Sequence, residues 1–581
     1  MQTKIEKGGL PMPKRIDAFQ PALPEELLMQ YNFFELYPFD GGGRFIQQEI
    51  VASIDDRMIA EKIISGNALS SFHTGGKLNF QKYEQWDTIE KSCWLNRMYF
   101  VVSMARAAAL NHDSGLAETT VDIVLDFHRR YCPPCGKEAV AALNRRVTES
   151  RDRDYNSGNG NGITEYQWYD FQPAARIVNV LHAMFFLRGF RTIGDEKWRL
   201  LDEFIRNNAD VVCDGEEQLE LAPGNHQALR GLALLYAARY FGDERYARAG
   251  NRICNYHAAH DYLPDGMLID MSPSYHIFEA WIGRDARILG NLNPEASAML
   301  ERAFEICARF RCPDGLSIVL NDGYPLDMQG FLKSIGCDPE KASRDFLLPD
   351  SHILFRKSEH FFAVLDATPC TGKYAHFHAG KNALTLWCGG HPFLIDSGCC
   401  GYDDPDFHRW FKQPEAHSTL LVNGCGDSIL KGRYMWGAFP ENTLSADGSE
   451  IVEHSPVPEW QGVVWTRSLK LDRTRASLCD NVRSETRKDF EFIFVLAPEV
   501  CCQIRETEIL LDNRGTKLNL TWQANVPLTW KQLPGKVFSG FRKRDSIRLS
   551  ATLSGDEIEF RLTAECRPAA CNPGHGSFRK S

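Results

Sequence analysis

The stretch "HILFRKSEHFFAVLDA" (352–367) is the first of several short runs in which apolar and polar residues alternate. Turn-forming residues separate these runs, a pattern that is typical of stacked antiparallel sheets. From this pattern we predict an antiparallel β-sandwich domain over residues 343–581. The later runs are "GVVWTRSLKLD" (462–472), "DFEFIFVLAP" (489–498), "KLNLTWQANV" (517–526) and "SIRLSATLS" (546–554).

The chain upstream of this region has the pattern of helices. Its long segments are apolar on more than one face, as expected for helices that are buried on several sides. They recur roughly every 40–60 residues and are separated by Gly, Asp and Asn, which predicts a helical array or (α/α) toroid. We assign it to residues 21–342, after an N-terminal extension, 1–20. The clearest segments are 94–113, 174–190 and 225–257.

Composition excludes some classes of function. The chain has 581 residues, of which 43% are hydrophobic and 24% charged, as expected for a multidomain globular protein. A net charge of −10 gives no electrostatic footprint for nucleic acid, although a locally basic cleft could still hold an anionic ligand. No segment has the length and apolarity of a membrane span.

The N-terminus gives an expectation about location. The first twenty residues lack the apolar core of a secretory signal, which predicts a cytoplasmic protein, or a periplasmic or secreted one if a signal has been removed. The 18 cysteines form no regular framework, and we expect reduced thiols.

The stretch "HFHAGKNALTLWCGGHPFLIDSGCC" (376–400) contains candidate metal ligands. In a strand, His376 and His378 would share one face. His378, Asp396 and His417, predicted on successive strands, make a plausible set of N and O ligands, most naturally for Zn²⁺. Taken singly, each histidine could equally be a hydrogen-bonded core residue.

Two further stretches carry candidate catalytic residues. In "LAPGNHQALRG" (221–231), Asn225 opens a strong helix, where it could cap the helix or help to bind a carboxylate. In "DGMLIDMSPSYHIFEAW" (265–281), Tyr275 lies in the predicted first turn of a helix. A tyrosine in such a position packs more often than it catalyses.

Taken in order, these stretches resemble the heparinase II/III-like polysaccharide lyases. "WYDFQPAARIVNVLHAMFFL" (168–187) is similar to the Arg-bearing helix of that family. The resemblance implies an (α/α) toroid followed by an antiparallel β-sandwich, with the active cleft between them. Three positions depart from the family pattern: Asp270, Lys381 and Ser418.

The resemblance also implies a reaction. Family members cleave uronic-acid polysaccharides by β-elimination, so we expect an anionic uronate oligosaccharide or polysaccharide as the substrate. Asn225 and His226 would neutralise the uronate carboxylate, Tyr275 would act as acid or base, and His376 would act as base on the opposite sugar face.

Further residues take binding or structural roles in this scheme. Arg176, Tyr402 and Arg409 are candidate substrate contacts. His378, Asp396 and His417 would hold a divalent metal, most naturally zinc, in an architectural role, and Ser418 would orient these ligands.

Two other readings remain open at this stage. A glycoside hydrolase on an (α/α) toroid would need two well-placed carboxylic acids, for which Asp270 and Glu279 are the nearest candidates to Tyr275 in sequence. A non-catalytic glycan-binding protein would use the abundant aromatic residues for stacking. We expect neither a nucleic-acid partner nor a membrane partner, and a homodimer is possible.

Overall fold

A computed structural model describes most of the chain. The predicted N-terminal extension and the predicted boundary at residues 342/343 lie outside the described residues. The described ranges are 23–29, 56–65, 73–74, 77–81, 95–157, 165–338, 345–370, 376–402, 404–431, 435–445, 448–540 and 542–567.

These residues form two compact units. The first comprises described residues of 1–261, 278–301 and 401–404, and the second those of 262–277, 302–400 and 405–581.

Helices occupy the N-terminal part of the chain. Within the described residues no helix is both long enough and apolar enough to span a bilayer. The helices are α1 (Glu25–Leu28), α2 (Asp56–Ile64), α3 (Phe100–Asn111), α4 (Ser114–Arg130), α5 (Lys137–Ser157), α6 (Gln172–Leu187), α7 (Asp195–Glu216), α8 (Asn225–Phe241), α9 (Glu244–His260), α10 (Pro273–Leu289), α11 (Pro294–Arg309) and α12 (Gln329–Ser334).

The predicted helical segment 225–257 is a pair of helices. α8 ends at Gly242, whose φ of 66° is left-handed, and Asp243 then caps α9 by accepting hydrogen bonds from two backbone amides. The two helices pack closely, since a Cβ on Gly231 would lie only 2.5 Å from a methyl of Ile253. The glycine therefore sets the approach of the helices.

Strands follow, apart from one early hairpin. They are β1 (His73–Thr74), β2 (Lys77–Leu78), β3 (Phe346–Leu348), β4 (Ile353–Lys357), β5 (Phe361–Asp366), β6 (Ala383–Cys388), β7 (His391–Leu394), β8 (Leu420–Val422), β9 (Ile429–Leu430), β10 (Trp436–Ala438), β11 (Glu441–Leu444), β12 (Glu450–His454), β13 (Val463–Leu471), β14 (Arg475–Val495), β15 (Cys501–Ile504), β16 (Ile509–Asn513), β17 (Thr516–Ala524), β18 (Thr529–Ser539) and β19 (Arg542–Arg567).

Two large antiparallel sheets and the two-stranded sheet β9-β10 supply the strands of the described part of the second unit. One large sheet is the five-stranded meander β3-β4-β5-β6-β7, and the other has ten strands in the order β11-β12-β13-β14-β19-β17-β16-β15, with β18 paired to β19 and β8 to β14. Residues of both sheets, including Phe361, Leu386, Trp465 and Phe492, belong to one buried hydrophobic cluster. The predicted order, helices followed by an antiparallel β-sandwich, is confirmed.

Candidate active site and metal centre

The start of α8 holds Asn225 and His226 in the first unit. Gly224 precedes the helix with a φ of 149°, and its backbone amide donates to Asp261 Oδ2 at 3.2 Å. Gly224 occupies the cap position and no side chain caps the helix, so Asn225, as the first helical residue, is not the capping group. Its amide, 8% exposed, lies where backbone N–H groups favour an anion.

His226 is paired with a carboxylate. Its Nδ1 lies 2.6 Å from Asp170 Oδ2, and its ring packs edge-on against Phe171 at a centroid distance of 4.3 Å. Arg230 donates to the other oxygen of Asp170 at 2.8 Å. Burial alone would raise the pKa of Asp170, but His226, Arg230 and Arg97 hold it well below its usual value. Asp170 is therefore an anion at neutral pH.

Tyr275, in the first turn of α10, stacks on His376 in the second unit. The ring centroids are 3.8 Å apart and the planes differ by 18°. His376 Nδ1 lies 3.1 Å from Asp270 Oδ2, at ion-pair distance but without the alignment of a hydrogen bond. Folding thus brings a phenol, an imidazole and a carboxylate together from three separate positions in the sequence.

The turn at residues 321–324 holds this group in place. Ser272 Oγ donates to the carbonyl of Asp322 at 3.1 Å, and the amide of Asp322 donates to the carbonyl of His376 at 3.1 Å. The side-chain amide of Asn321 donates to the carbonyl of Met271 at 2.7 Å. One turn therefore positions the segments that carry Asp270, Tyr275 and His376.

A second histidine cluster is almost completely buried. The ligand atoms of His378, Asp396 and His417 lie within 4.8 Å of one another, and the three residues are 1%, 6% and 2% exposed. His378 Nε2 lies 2.7 Å from Asp322 Oδ1, while its Nδ1 has no hydrogen-bond partner in the part of the chain that the structure describes. His417 Nε2 lies 3.1 Å from the carbonyl of Phe411.

The donor atoms of this cluster fit a divalent cation. The carbonyl of Phe411 accepts a hydrogen bond from His417 Nε2, so in a neutral ring Nδ1 presents a lone pair to Asp396 Oδ2 at 2.8 Å. Two such acceptors at this distance need a cation or a proton between them. The Nδ1 of His378 is likewise left over for a ligand bond, because Asp322 engages the other nitrogen.

Electrostatics agree with this assignment. Burial lowers the pKa of His378 to about 4, so the ring is neutral, as a metal ligand must be. Burial would raise the pKa of Asp396, but His417, His378 and the amide of Gly398 hold it below its usual value. Burial would likewise raise the pKa of Asp322, and the buried Lys412 and the histidines hold it low. The carboxylates are therefore ionised.

Comparison with known proteins places the chain in a family. A model described as heparinase II/III N-terminus matches residues 37–337, and one described as heparinase II/III-like, C-terminal matches residues 340–567. The chain belongs to the heparinase II/III-like family. A sequence search of curated proteins found no match.

Solved structures of low sequence identity share the fold. A heparinase III matches with 15% identity and a TM-score of 0.67, covering 87% of this chain and 81% of that one. A mutant heparan sulfate lyase from Pedobacter heparinus matches with 15% identity and a TM-score of 0.60, covering 88% and 83%. A chondroitin lyase that is a baculovirus envelope protein matches with 11% identity and a TM-score of 0.50, covering 89% and 84%. The predicted class, an (α/α) toroid followed by an antiparallel β-sandwich, is confirmed.

Some residues singled out in the sequence do not lie in the strands predicted for them. His376 and His378 lie in irregular chain before β6, which corrects the prediction of a shared strand face. Asp396 follows β7, and His417 precedes β8, so they flank strands instead of lying on them. Ser418 Oγ accepts from the amide of Val495 at 3.0 Å, and among the described residues no hydrogen bond joins this hydroxyl to His378, Asp396 or His417.

The proposed substrate contacts differ in exposure. Arg176 is fully buried, with its guanidinium bonded to Asn208 and to the carbonyl of Asn96, and packed over Phe127 and Trp168. This is a structural environment, and it does not support a substrate contact.

Tyr402 is 7% exposed, whereas Arg409 is exposed in the turn Phe407–Phe411. Of the proposed substrate contacts, Arg409 therefore presents the most accessible charge.

Two carboxylates that the sequence patterns do not single out organise these sites. Asp170 pairs with His226, and Asp322 pairs with His378. Asp170 lies within the family-like segment 168–187, and Asp322 within the turn "NDGY" (321–324). An aspartate in a turn beside an apolar run was the available signal, but it does not identify the distant histidine.

Proposed function

We propose that this protein is a lyase that cleaves uronic-acid glycans by β-elimination. The observation that carries the proposal is the stack of Tyr275 on His376, with Asp270 beside the imidazole. A phenol and an imidazole at this distance offer an acid and a base to one sugar residue. Membership of the heparinase II/III-like family supports the same reaction.

Elimination requires loss of the proton on C5, which the anionic carboxylate beside it disfavours. Negative charge grows on this carboxylate as the proton leaves, so donors that face it stabilise the transition state. Asn225 and His226, at the start of α8, are the residues that we propose for this role. Their amide and imidazole combine with the positive end of the helix.

Tyr275 and His376 divide the proton transfers. Tyr275 delivers a proton to the departing O4, and either Tyr275 itself or His376 removes the proton from C5. Because the two rings stack at a centroid distance of 3.8 Å, no sugar ring fits between them, and both groups reach the substrate from one side. Either choice then gives a syn-elimination, which argues against the prediction that His376 acts on the opposite sugar face. Asp270 is the group that would hold His376 in its orientation, because its carboxylate lies against Nδ1.

The metal has an architectural role in this proposal. His378, Asp396 and His417 would hold it, and zinc is the metal that their nitrogen and oxygen donors favour. When bound, it ties the loops before β6 and β8 to the end of β7.

The proposed substrate is an anionic glycan, and the related structures indicate its class. Related structures carry the names heparinase III, heparan sulfate lyase and chondroitin lyase. We therefore propose a glycosaminoglycan such as heparan sulfate, hyaluronan or chondroitin, with alginate as a further candidate.

A panel of uronate glycans tests the reaction. The purified protein is incubated with heparan sulfate, hyaluronan, chondroitin and alginate oligosaccharides, and the ultraviolet absorbance of the new C4=C5 double bond is followed. Mass spectrometry then identifies the products. We expect one class of substrate to give the chromophore.

Tyr275→Phe is the decisive variant. It removes the hydroxyl and keeps the stacked ring, so we expect turnover to fall by about 10²–10⁴-fold while glycan binding survives. Tyr256→Phe is the matched control, because its ring also stacks on a histidine, His260, at 4.5 Å. Products without the double bond and with solvent ¹⁸O at the anomeric carbon would identify a hydrolase instead, and binding without any product would identify a glycan-binding protein.

A further inference from the structure

We infer that Asp170 is a positioning residue that fixes His226 as the charged donor to the substrate carboxylate. This inference rests on the proposed function, since it names the group that acts through His226. It starts from the contact between His226 Nδ1 and Asp170 Oδ2 at 2.6 Å.

The contact determines which nitrogen faces outward. An ionised carboxylate accepts a hydrogen bond, so the Nδ1 of His226 must carry a proton. Within the described part of the chain, Nε2 has no protein partner, and the side chain is 53% exposed. Nε2 is therefore the atom available to a ligand, and a carboxylate at Nε2 would favour a second proton there.

Asp170 is built for this position. Its side chain is 18% exposed, and Arg230 Nη1 holds its second oxygen at 2.8 Å. The residue adopts a left-handed φ of 59°, which is unfavourable for most side chains and is often found at functional sites. The cost is lowest for Asp and Asn among residues with a Cβ, and the neighbouring bonds keep the carboxylate aimed at His226.

A chain of polar contacts connects Asp170 back to the start of α8. Arg230 joins Asp170 to the buried Glu216, which also accepts from Gln227 at 2.7 Å. His257 lies between Gln227 Oε1, at 3.2 Å, and Asp261 Oδ2, at 2.7 Å. Asp261 in turn accepts from the amide of Gly224 at 3.2 Å. The same network therefore supports both the ring of His226 and the turn that precedes Asn225.

The role follows from the chemistry of the reaction. As the C5 proton leaves, the substrate carboxylate gains negative charge, and a cationic N–H donor at Nε2 gains interaction energy with it. The Asp170 carboxylate stabilises the positive charge on the ring and fixes its orientation. A neutral amide at residue 170 would not stabilise the doubly protonated ring that donates from Nε2, and it could bond either neutral tautomer of the imidazole. The ring would therefore lose both its positive charge and its fixed orientation.

Asp170→Asn tests this role with little risk to the fold, because asparagine also tolerates a left-handed φ. Rates are measured with uronate oligosaccharides as the free acid and as the methyl ester, which carries no charge to neutralise. We expect kcat for the free acid to fall by about 10–100-fold, with KM changed much less. For the methyl ester kcat should fall by less than about 3-fold, since an ester has no negative charge for His226 to stabilise.

A ¹⁵N NMR measurement of the histidine rings gives a second readout that needs no turnover. The wild-type spectrum should show His226 protonated at Nδ1, and Asp170→Asn should shift it toward a mixture of tautomers, with His226→Gln used for assignment. Asp210→Asn is the matched control. Asp210 lies on α7, its side chain is half-exposed, and it accepts a hydrogen bond from the hydroxyl of Tyr246. It should leave both readouts unchanged.

The outcomes separate the two proposals. If Asp170→Asn lowers the acid and ester rates equally and leaves the His226 spectrum unchanged, Asp170 has only a structural role and the inference is overturned. If the wild-type protein forms no unsaturated product from any uronate, the proposed function fails. The tautomer measurement then still decides whether Asp170 controls His226.

Discussion

His376 and His378 are separated by one residue, yet they lie in opposite kinds of environment. His376 is partly exposed, stacks on Tyr275 and has a carboxylate only at ion-pair distance. His378 is 1% exposed and bonded to Asp322 within a buried cluster. The comparison teaches that exposure and the bonding of each nitrogen, not residue type or spacing, separate a group available for chemistry from one committed to architecture.

Replacing His376 gives the largest expected effect on activity. His376→Ala should lower kcat by about 10²–10⁴-fold if the imidazole is the base, because a positioned base contributes a factor of that size. Thermal unfolding should change only modestly, since among the described residues the Nδ1 of His376 has no hydrogen-bond partner, and the change removes only the stack on Tyr275 and the contact with Asp270. If lyase activity survives this change, His376 is not the base, and Tyr275 then takes both proton transfers.

Replacing His378 should act on stability. His378→Ala removes the hydrogen bond from His378 to the buried carboxylate of Asp322 but leaves Lys412 near it, so we expect a loss of about 1.5–3 kcal/mol in the free energy of unfolding. Denaturant unfolding and metal analysis of the same sample measure it, and the bound metal should fall below one equivalent. A stable, metal-replete variant would erase the distinction between the two histidines.

Removal of the metal tests the buried cluster without a mutation. A metal that binds only the folded state, present at 100 times its Kd, stabilises that state by about 2.7 kcal/mol, so a chelator should lower the unfolding temperature by about 4 °C. Elemental analysis before and after treatment measures the metal, and added zinc should restore the temperature. Unchanged unfolding after complete metal release contradicts an architectural role.

A second buried group, the carboxylate of Glu453, predicts how the stability of the protein depends on pH. Glu453 on β12 is 0% exposed, and among the described residues neither of its carboxylate oxygens has a hydrogen-bond partner. Burial, together with the nearby Asp427 carboxylate, raises the pKa of Glu453 well above its usual value. The native state therefore keeps this proton at pH values where the unfolded chain has released it.

The sign of the pH effect follows directly. Above the unfolded pKa of about 4.3, Glu453 removes stability as pH rises, by up to about 1.4 kcal/mol per pH unit until its folded pKa is reached. Glu453→Gln imitates the protonated form, so its advantage over wild type should grow from pH 5 upward in denaturant unfolding. Glu450→Gln, at an exposed site on the same strand, is the control and should show no such trend.

The sequence predicted the helices and strands better than it predicted the contacts between side chains. Apolar periodicity identifies α8, β4, β5 and β13, because burial of a face leaves a local pattern. The alternation at His376 and His378 failed as a strand signal for a physical reason. The amide of His378 donates to Asn321 Oδ1, and the amides of Gly380 and Lys381 donate to Asp427, so side chains replace a neighbouring strand.

The sequence names candidate residues for a site but does not show the contacts that their side chains make. The ordered motifs indicate Asn225, Tyr275 and His376, whereas Asp170 and Asp322 become visible only when folding brings distant segments together. Arg176 illustrates the opposite error. Its position in a family-like helix suggested substrate binding, but nothing local predicts that aromatic rings and Asn208 enclose it.

The long strand β14 pairs along most of its length with β19, the last strand of the sheet to be synthesised. During synthesis, the edge of β14 that pairs with β19 therefore stays unpaired until about fifty further residues have been added and β19 has been made. Until then an extended apolar edge is open to pairing with other chains. We expect expression yield to depend on intact residues 542–567, and truncation before β19 to send the chain into inclusion bodies even though both proposed reaction centres precede the cut.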